Sequence, residues 1–488
     1  MRLEREGTWG IGERERRPEG GNRKDRGAVL LWVAGMLTVL MGMAAFATDL
    51  GWLLLSTSRL QKAADAAALA GVVNLPGFMT QAQSDASGAA SANGFPIGGS
   101  TSIGLTQLDD NRLQVDLSTR VQTFFLRALG INGFDITRRS TAEYIKPVPL
   151  GSPNNCFGKP VGVSGCPDPN LWGAISGPFT SKTNGDAYAT RCVTATSSSC
   201  SPTNSQYRPA GYYYAVEVFP GTTGLSVQIY DAGFYERGDF NVETGDREQD
   251  RNGGTDTLYQ FYNVDVTPLD PTDNPPVAGC GWTIGSNSGA STYKNQWRTL
   301  CSLGGSLTPG VYVLRVWTSG NIGGTNQYSV RATTSSGPAP RLYGINDISI
   351  FTNQPSSTAD LYLAEVAQVH AGKKLELKFY DPGEDDQPAW MTVKRPDGTT
   401  PNCDWTATNE SGSVTASGSG SCSIQTSNSS GPLFNGQWIT AVVDIPDTYT
   451  CSTNCWWKMQ IQLSQPHDRT VWEVRVIGNP VRLTENEP

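Results

Sequence analysis

The sequence predicts an α+β chain: a long N-terminal helix, first transmembrane and then amphipathic, a small α+β head, and two all-β sandwich domains. Three observations predict it. Ala28 to Ala47 are 20 residues without a charge, the length that crosses a hydrocarbon core of about 30 Å. Short helix and strand patterns alternate up to about residue 146. Beyond residue 150 the apolar period falls to two, in two similar sets separated by Gly, Pro, Asn and Ser, the rhythm of β-sandwiches.

Residues 1–26 hold eight Lys/Arg and six Asp/Glu and read as a disordered tail. Ala28, Leu31, Leu37, Leu40 and Phe46 represent the membrane anchor. Thr48 and Asp49 end the wholly apolar run. From Leu50 onward, apolar residues recur at helical spacing between Arg59, Gln61, Lys62 and Asp65, so the same helix continues with one apolar face. Nothing stops it before Pro76-Gly77. The predicted element is residues 27–75, a rod of roughly 70 Å at 1.5 Å per residue. Leu53, Leu60, Ala64, Ala67 and Gly71 are its expected docking residues toward other helices. Gly35, Gly42 and Ala45 add small residues to the membrane part. Arg23, Lys24 and Arg26 lie closer to the apolar run than Arg59 and Lys62 do. The positive-inside rule then places the N-terminus in the cytoplasm and residues 50–488 outside. A cleaved signal peptide fits less well, because the run is long and no clear small-residue cleavage site ends it.

Arg26-Gly27, Asp49-Leu50-Gly51, Arg59-Leu60-Gln61 and the block Ala63-Ala64-Asp65-Ala66-Ala67-Ala68-Leu69-Ala70-Gly71 carry a family resemblance. The segment resembles the N-terminal part of Flp pilus-assembly TadG-like proteins (the TadE/TadG group), and more loosely the resemblance reaches Lys146. It implies a pilus-assembly or minor pseudopilin-type structural role, with other pilus or pseudopilin subunits as partners of the helix. Related pseudopilins carry a glutamate shortly after Arg-Gly, used in processing and assembly. Here Leu30, Leu31 and Trp32 occupy that place, which argues against prepilin-peptidase cleavage and a major-pilin role.

The head is expected over 76–146. Residues 79–93 read as a small-residue helix ending at Asn93-Gly94. Strands follow at Thr101–Thr106 and Arg112–Thr119, then a short helix at Val121–Gly130 and a strand at Phe134–Tyr144. A small α+β head on a long helix is a pilin-like plan. Lys146-Pro147-Val148-Pro149 reads as a stiff linker.

The sandwiches are expected over 147–340 and 341–488, as diverged repeats. YAVEV (Tyr214–Val218) parallels YLAEV (Tyr362–Val366), and GLSVQIYDAG (Gly224–Gly233) parallels KLELKFYDPG (Lys374–Gly383). Leu225, Val227 and Ile229, like Leu375, Leu377 and Phe379, alternate and should point inward. Cys-x-Trp-Thr recurs at Cys280-Trp282-Thr283 and Cys403-Trp405-Thr406, each followed about twenty residues later by another cysteine.

Ten cysteines, all after residue 155, indicate disulfides in an oxidising compartment. Nearest-neighbour pairing would join Cys156 to Cys166, Cys192 to Cys200, Cys280 to Cys301, Cys403 to Cys422 and Cys451 to Cys455. With a net charge of −8 and no basic patch, nucleic acid is not an expected partner.

Catalytic motifs are missing: no G-x-S-x-G, H-E-x-x-H or Walker loop occurs. The two histidines, His370 and His467, read as exposed turn residues, so no enzyme is expected. Calcium is the one cofactor candidate. Asp246, Asp250, Asn252 and Asp256 place oxygen ligands around a Gly-Gly turn. Asp231 and Asp239 could add to them, and Asp381, Glu384, Asp385 and Asp386 hold the corresponding place in the second repeat. The alternative is two acidic surface loops. Trp456-Trp457 and Tyr212-Tyr213-Tyr214 alternate in facing, and an exposed member could stack on a glycan or anchor a protein; packing between the repeats is the competing reading. The expected function is therefore a membrane-anchored, extracytoplasmic assembly protein in contact with the lipid bilayer. A membrane-tethered adhesin that binds surface glycan or protein is the alternative.

Overall fold

A computed structural model describes residues 25–75, 78–109, 111–145, 147–158, 166, 171–195, 199–235, 246, 255–265, 270–286, 290–321, 323–352, 358–383, 388–462, 468–478 and 481–484. The chain opens with helices α1, Asp25–Val72, and α2, Met79–Ala92. Then come β1 (Thr101–Asp109), β2 (Arg112–Gln122), a short 3-10 helix at Leu126–Leu129, and β3 (Gly133–Tyr144). A first β unit holds β4 (Cys156–Phe157), β5 (Leu171–Ser176), β6 (Tyr212–Val218), β7 (Thr223–Tyr230), β8 (Thr255–Tyr262), β9 (Pro276–Gly285), β10 (Trp297–Ser306), β11 (Gly310–Gly320), β12 (Thr325–Ser336) and β13 (Arg341–Gly344). A second holds β14 (Asp347–Thr352), β15 (Thr358–Glu365), β16 (Lys374–Tyr380), β17 (Ala389–Lys394), β18 (Asn402–Thr408), β19 (Val414–Ser421), β20 (Ser423–Asn428), β21 (Gly431–Pro432), β22 (Trp438–Asp444), β23 (Trp456–Gln462) and β24 (Asp468–Ile477). The last strand is β25 (Val481–Thr484).

The head is an antiparallel sheet in the order β1-β2-β3-β25. β2 alternates buried and half-buried along most of its length, because one sheet face lies against helices and the other faces water. Leu113, Val115 and Leu117 meet Leu60, Ala63, Ala64, Ala67, Ala68 and Val72 of α1, with Ala86 and Ala90 of α2. The alanine block is thus a close-packing surface. A Cβ at Gly71 would come within 2.7 Å of Leu113 Cδ2 and 3.0 Å of the Ala82 carbonyl, so only glycine fits this crossing. β25, from the chain's last residues, completes the sheet; no pattern in the sequence assigned it to the head.

The remaining strands build one eleven-stranded sheet, β10-β7-β12-β5-β14-β24-β16-β22-β18-β19 with β4 beside β12, and two five-stranded sheets, β13-β6-β11-β8-β9 and β15-β23-β17-β20-β21. One buried core draws side chains from all three. The repeat is visible in the connections. β6-β11-β8 corresponds to β15-β23-β17, and β5-β12-β7-β10 to β14-β24-β16-β22. The six inward-pointing residues of β7 and β16 are all buried. Asp231 and Asp381 end those strands at φ of +53° and +54°. Their carboxylates accept the amides of Asn295 and Gly436, one residue before the Gln-Trp pairs that start β10 and β22.

Three expectations need correction. The β units do not form separate sheets: β5 of the first and β14 of the second pair antiparallel through Leu171–Gly173 and Ile350–Thr352, so the long sheet is continuous. The Cys-x-Trp-Thr parallel does not extend to placement, because β9 pairs with β8 in a short sheet while β18 pairs with β22 in the long one. The linker is not a free spacer either. Val148 and Leu150 are buried in the core, and Leu150 bridges Gly344 and Ala364. Lys146 lies outside the described residues.

Candidate membrane anchor and docking surface

The first half of α1 is uncovered on all sides. Leu31, Leu37, Leu40 and Phe46 are exposed, as are Leu30, Trp32, Val39 and Met43; Ala28 lies in the same helix, without a described side chain. A helix apolar all round and left uncovered by the other described residues is suited to lipid. Its few hydroxyls are satisfied internally: Thr38 and Thr48 each donate to the carbonyl four residues back, Ala34 and Ala44, at 2.8 Å. A Cβ added at Gly35 or Gly42 meets nothing within 4 Å. This is the one helix among the described residues long and apolar enough to cross a membrane.

Asp49 marks the change of surroundings. It is buried, and its carboxylate accepts three backbone N–H groups: Phe124 at 2.7 Å on one oxygen, Phe125 at 3.0 Å and Leu126 at 2.7 Å on the other. These are the amides entering the 3-10 helix, which otherwise lack acceptors. Trp52, one turn further, stacks edge-on against Phe124 at 5.6 Å. Asp49 therefore does more than end an apolar run. It ties the tip of the β2–β3 hairpin to α1.

The predicted docking stripe is already used. Leu60, Ala64, Ala67 and Gly71 are buried against α2, β2 and β3 of the same chain, and Leu53 is half-buried. They are not open to another subunit's helix. The surface left uncovered is the apolar first half of α1 together with Leu50, Leu54 and Leu55.

Where the head meets the second β unit, Glu143 of β3 is buried and pairs with Lys373 Nζ at 3.4 Å and Arg482 Nη2 at 2.6 Å. His370 lies here, buried rather than exposed. Burial, with the nearby Lys373 ammonium, pulls its imidazole down to about 4. His467 lies outside the described residues.

Of the proposed calcium ligands, Asp250 and Asn252 lie outside the described residues, as do Asp239, Glu384, Asp385 and Asp386. Asp246 is fully buried, and its oxygens accept the amides of Tyr235 at 3.0 Å and Gln327 at 3.1 Å. Asp256 sits on β8 opposite Gly285. Among the described residues no three His, Cys, Asp or Glu converge on a metal position. Asp246 thus joins the amide of Tyr235, just past β7, to that of Gln327 on β12. The aromatic candidates are interior too: Trp456, Trp457, Tyr212 and Tyr214 are buried, Tyr213 half-buried.

The ten cysteines form five bonds. Cys156 is joined to Cys166, Cys192 to Cys200, Cys280 to Cys301, Cys403 to Cys422 and Cys451 to Cys455. Cys166, Cys301, Cys422 and Cys455 are buried, whereas Cys200 is half-buried. All five are local links, closing loops within one β unit rather than joining the two.

Sequence reasoning missed two features. One is the set of amides that receives Asp49; its only trace is Phe124-Phe125, apolar residues in a short helix with nothing predicted to cover them. The other is the placement of the segment between β5 and β6: the segment, with the expected bond from Cys192 to Cys200, lies against the second unit. Its Lys182, fully buried, donates to Gln206 at 2.6 Å and Glu410 at 2.8 Å.

Residues 27–74 match the family model described as putative Flp pilus-assembly TadE/G-like. The match covers α1 and the turn after it, a small part of the chain. No curated protein matches the chain. Among solved structures, one of the infectious bursal disease virus Gx strain is 12% identical, over 70% of this chain and 78% of that one, with a TM-score of 0.10, too low to carry an argument.

Proposed function

We propose that the TadE/G-like segment makes this chain a single-pass, membrane-anchored assembly protein of a Flp-type pilus apparatus. The uncovered half of α1 spans the bilayer, with its N-terminus in the cytoplasm. The head stands next to the membrane, and the two sandwich-like β units project into an oxidising, extracytoplasmic space. The observation that carries this reading is the division of one continuous helix. Its first half offers apolar side chains to its surroundings, while its second half is locked into the head by Asp49 and the alanine block. Partners therefore meet it through the membrane half, or through the outer surface of the β units. We assign it no catalytic role. Of the aromatics that motivated the adhesin reading, Trp456, Trp457, Tyr212 and Tyr214 are buried and Tyr213 is half-buried, which favours it less.

The test is photo-crosslinking in native membranes, with the probe at Val39 in the apolar half and at Val414 on β19. Adducts from Val39 to membrane components of a pilus apparatus support the proposal. If Val39 yields lipid adducts alone and pilus assembly survives deletion of the chain, the assignment fails.

A further inference from the structure

The β2–β3 hairpin runs alongside α1 toward the membrane half. Three contacts fix the direction. Gly71 of α1 lies at Leu113, near the start of β2. Gln61 donates to the carbonyl of Arg139, whose strand partner is Asp116. Asp49 holds the amides of Phe124–Leu126. From Gln61 to Asp49 the helix advances about 18 Å, and from Asp116 to Gln122 the strand advances about 20 Å. The hairpin tip is thus level with Asp49, two residues beyond the uncharged run.

That tip is apolar and uncovered. Phe124, Phe125, Ile131 and Phe134 are exposed, and Leu129, at its far end, is 78% exposed. Its backbone is closed on itself: Ala128 donates to Phe125, Gly130 to Arg127, Ile131 to Leu126 and Thr123 to Asn132. A loop entering a lipid boundary must satisfy its own amides. Arg127 is exposed on the same turn, placed for lipid phosphate as its neighbours enter the apolar layer. The patch is continuous with the exposed apolar surface of α1 and lies at the depth where aromatic side chains favour the membrane interface.

We propose that the segment Phe124–Phe134 is a second membrane contact. It inserts into the headgroup and upper acyl region of the outer leaflet, so that the head stands on the bilayer instead of swinging on its helix. This rests on the reading that Val29–Ala47 spans the bilayer. The occupant is lipid, because the loop's depth is set by α1 itself.

The experiment uses the full chain in vesicles of phosphatidylcholine with a minor share of phosphatidylglycerol. All ten native cysteines are paired, so single variants Leu129→Cys and Ile131→Cys can each take an environment-sensitive fluorophore. Leu40→Cys reports on the span and Val414→Cys on the outer β unit. The expected result is blue-shifted emission from both loop labels, largely lost when shallow nitroxide lipids are added. Leu40 should be quenched by deep nitroxides and Val414 by neither. Loop labels in water while Leu40 is quenched overturn the contact and leave the span intact. An unquenched Leu40 removes the span and the contact with it. Loop labels shielded from water but not quenched by lipid, with cross-links between copies, overturn the lipid contact in favour of a second copy of this chain.

Discussion

At the scale of single residues, several buried aspartates hold backbone amides, among them Asp49, Asp186, Asp246 and Asp381. Asp49 carries three, and an amide side chain could not replace it, since asparagine has one acceptor oxygen and turns its NH2 toward donors. Asp49→Asn and Asp49→Ala should both loosen the hairpin tip. The expected signs are a lower unfolding midpoint of the head and rapid proteolysis within 123–132; wild-type protection in both variants would refute the tie. The apolar run and its end at Asp49 were legible in the sequence. The partner amides were not, because they lie 75 residues away and carry no side-chain signature. His370 shows the same limit. A lone histidine between strands looked exposed, and only the fold brings Glu143, Lys373 and Arg482 around it. Its imidazole is held near 4 by burial, against about 6.5 in an unfolded chain. The unfolded state therefore takes up a proton first as pH falls, and stability is lost between roughly pH 6.5 and 4, by about 3 kcal/mol at most. His370→Gln should flatten that part of the curve of unfolding free energy against pH. An unchanged slope would mean that other groups set it.

At the scale of elements, α1 is two structures sharing one hydrogen-bonded axis. The helical period was readable across its whole length, but periodicity states only that a face is apolar and not what covers it. The expected cover was another subunit; the actual cover is α2 and the head sheet, which the alanines of both helices allow to approach closely. A fragment beginning at Thr48 should therefore remain soluble and folded without detergent, retaining Asp49 and the buried stripe. A fragment beginning at Val72 should lose the head, since Leu60→Ala alone is expected to cost about 2–5 kcal/mol. Circular dichroism and limited proteolysis of the two fragments decide the matter, and equal protection of both would show that the helix is not part of the head core. Strands were legible where β-branched and aromatic residues alternate, as in β7, β16 and β23. β19 was not: Val414–Ser421 is largely Gly, Ser and Thr on an outer hairpin, where no apolar face is required.

At the scale of the whole molecule, the internal repeat was legible but the joining of its copies was not. Sequence similarity shows that two units are alike and is silent on how they meet. They meet at β5 and β14, and the junction is reinforced by a segment present in only one copy. Between β14 and β15 the second unit passes from Thr352 to Thr358, whereas between β5 and β6 the first inserts everything from Gly177 to Gly211. That insertion reaches across the seam. Arg208 pairs with Asp347 at 2.5 Å and with Glu473 at 3.5 Å, Tyr188 donates to Glu473, and Arg469 donates to the carbonyl of Asn184 at 2.8 Å. Buried Lys182 holds Glu410 beyond it while lying over the ring of Tyr380 at 4.8 Å. Pairs in which one member is buried, as Lys182 and Asp347 are, specify one geometry more than they add net stability. The two units should consequently unfold together, in one calorimetric transition whose calorimetric and van't Hoff enthalpies agree. Replacing 178–210 with a short Gly-Ser turn, comparable to the connection the second unit uses, should leave each unit folded but loosen their coupling and broaden or split the transition, because the insertion's cross-seam contacts are lost while the β5–β14 pairing, the shared core and the Leu150 bridges to Gly344 and Ala364 stay. Two transitions in the unaltered protein would show that the seam does not transmit folding. A single, equally sharp transition in the shortened one would assign the coupling to the continuous sheet and the shared core rather than to the insertion.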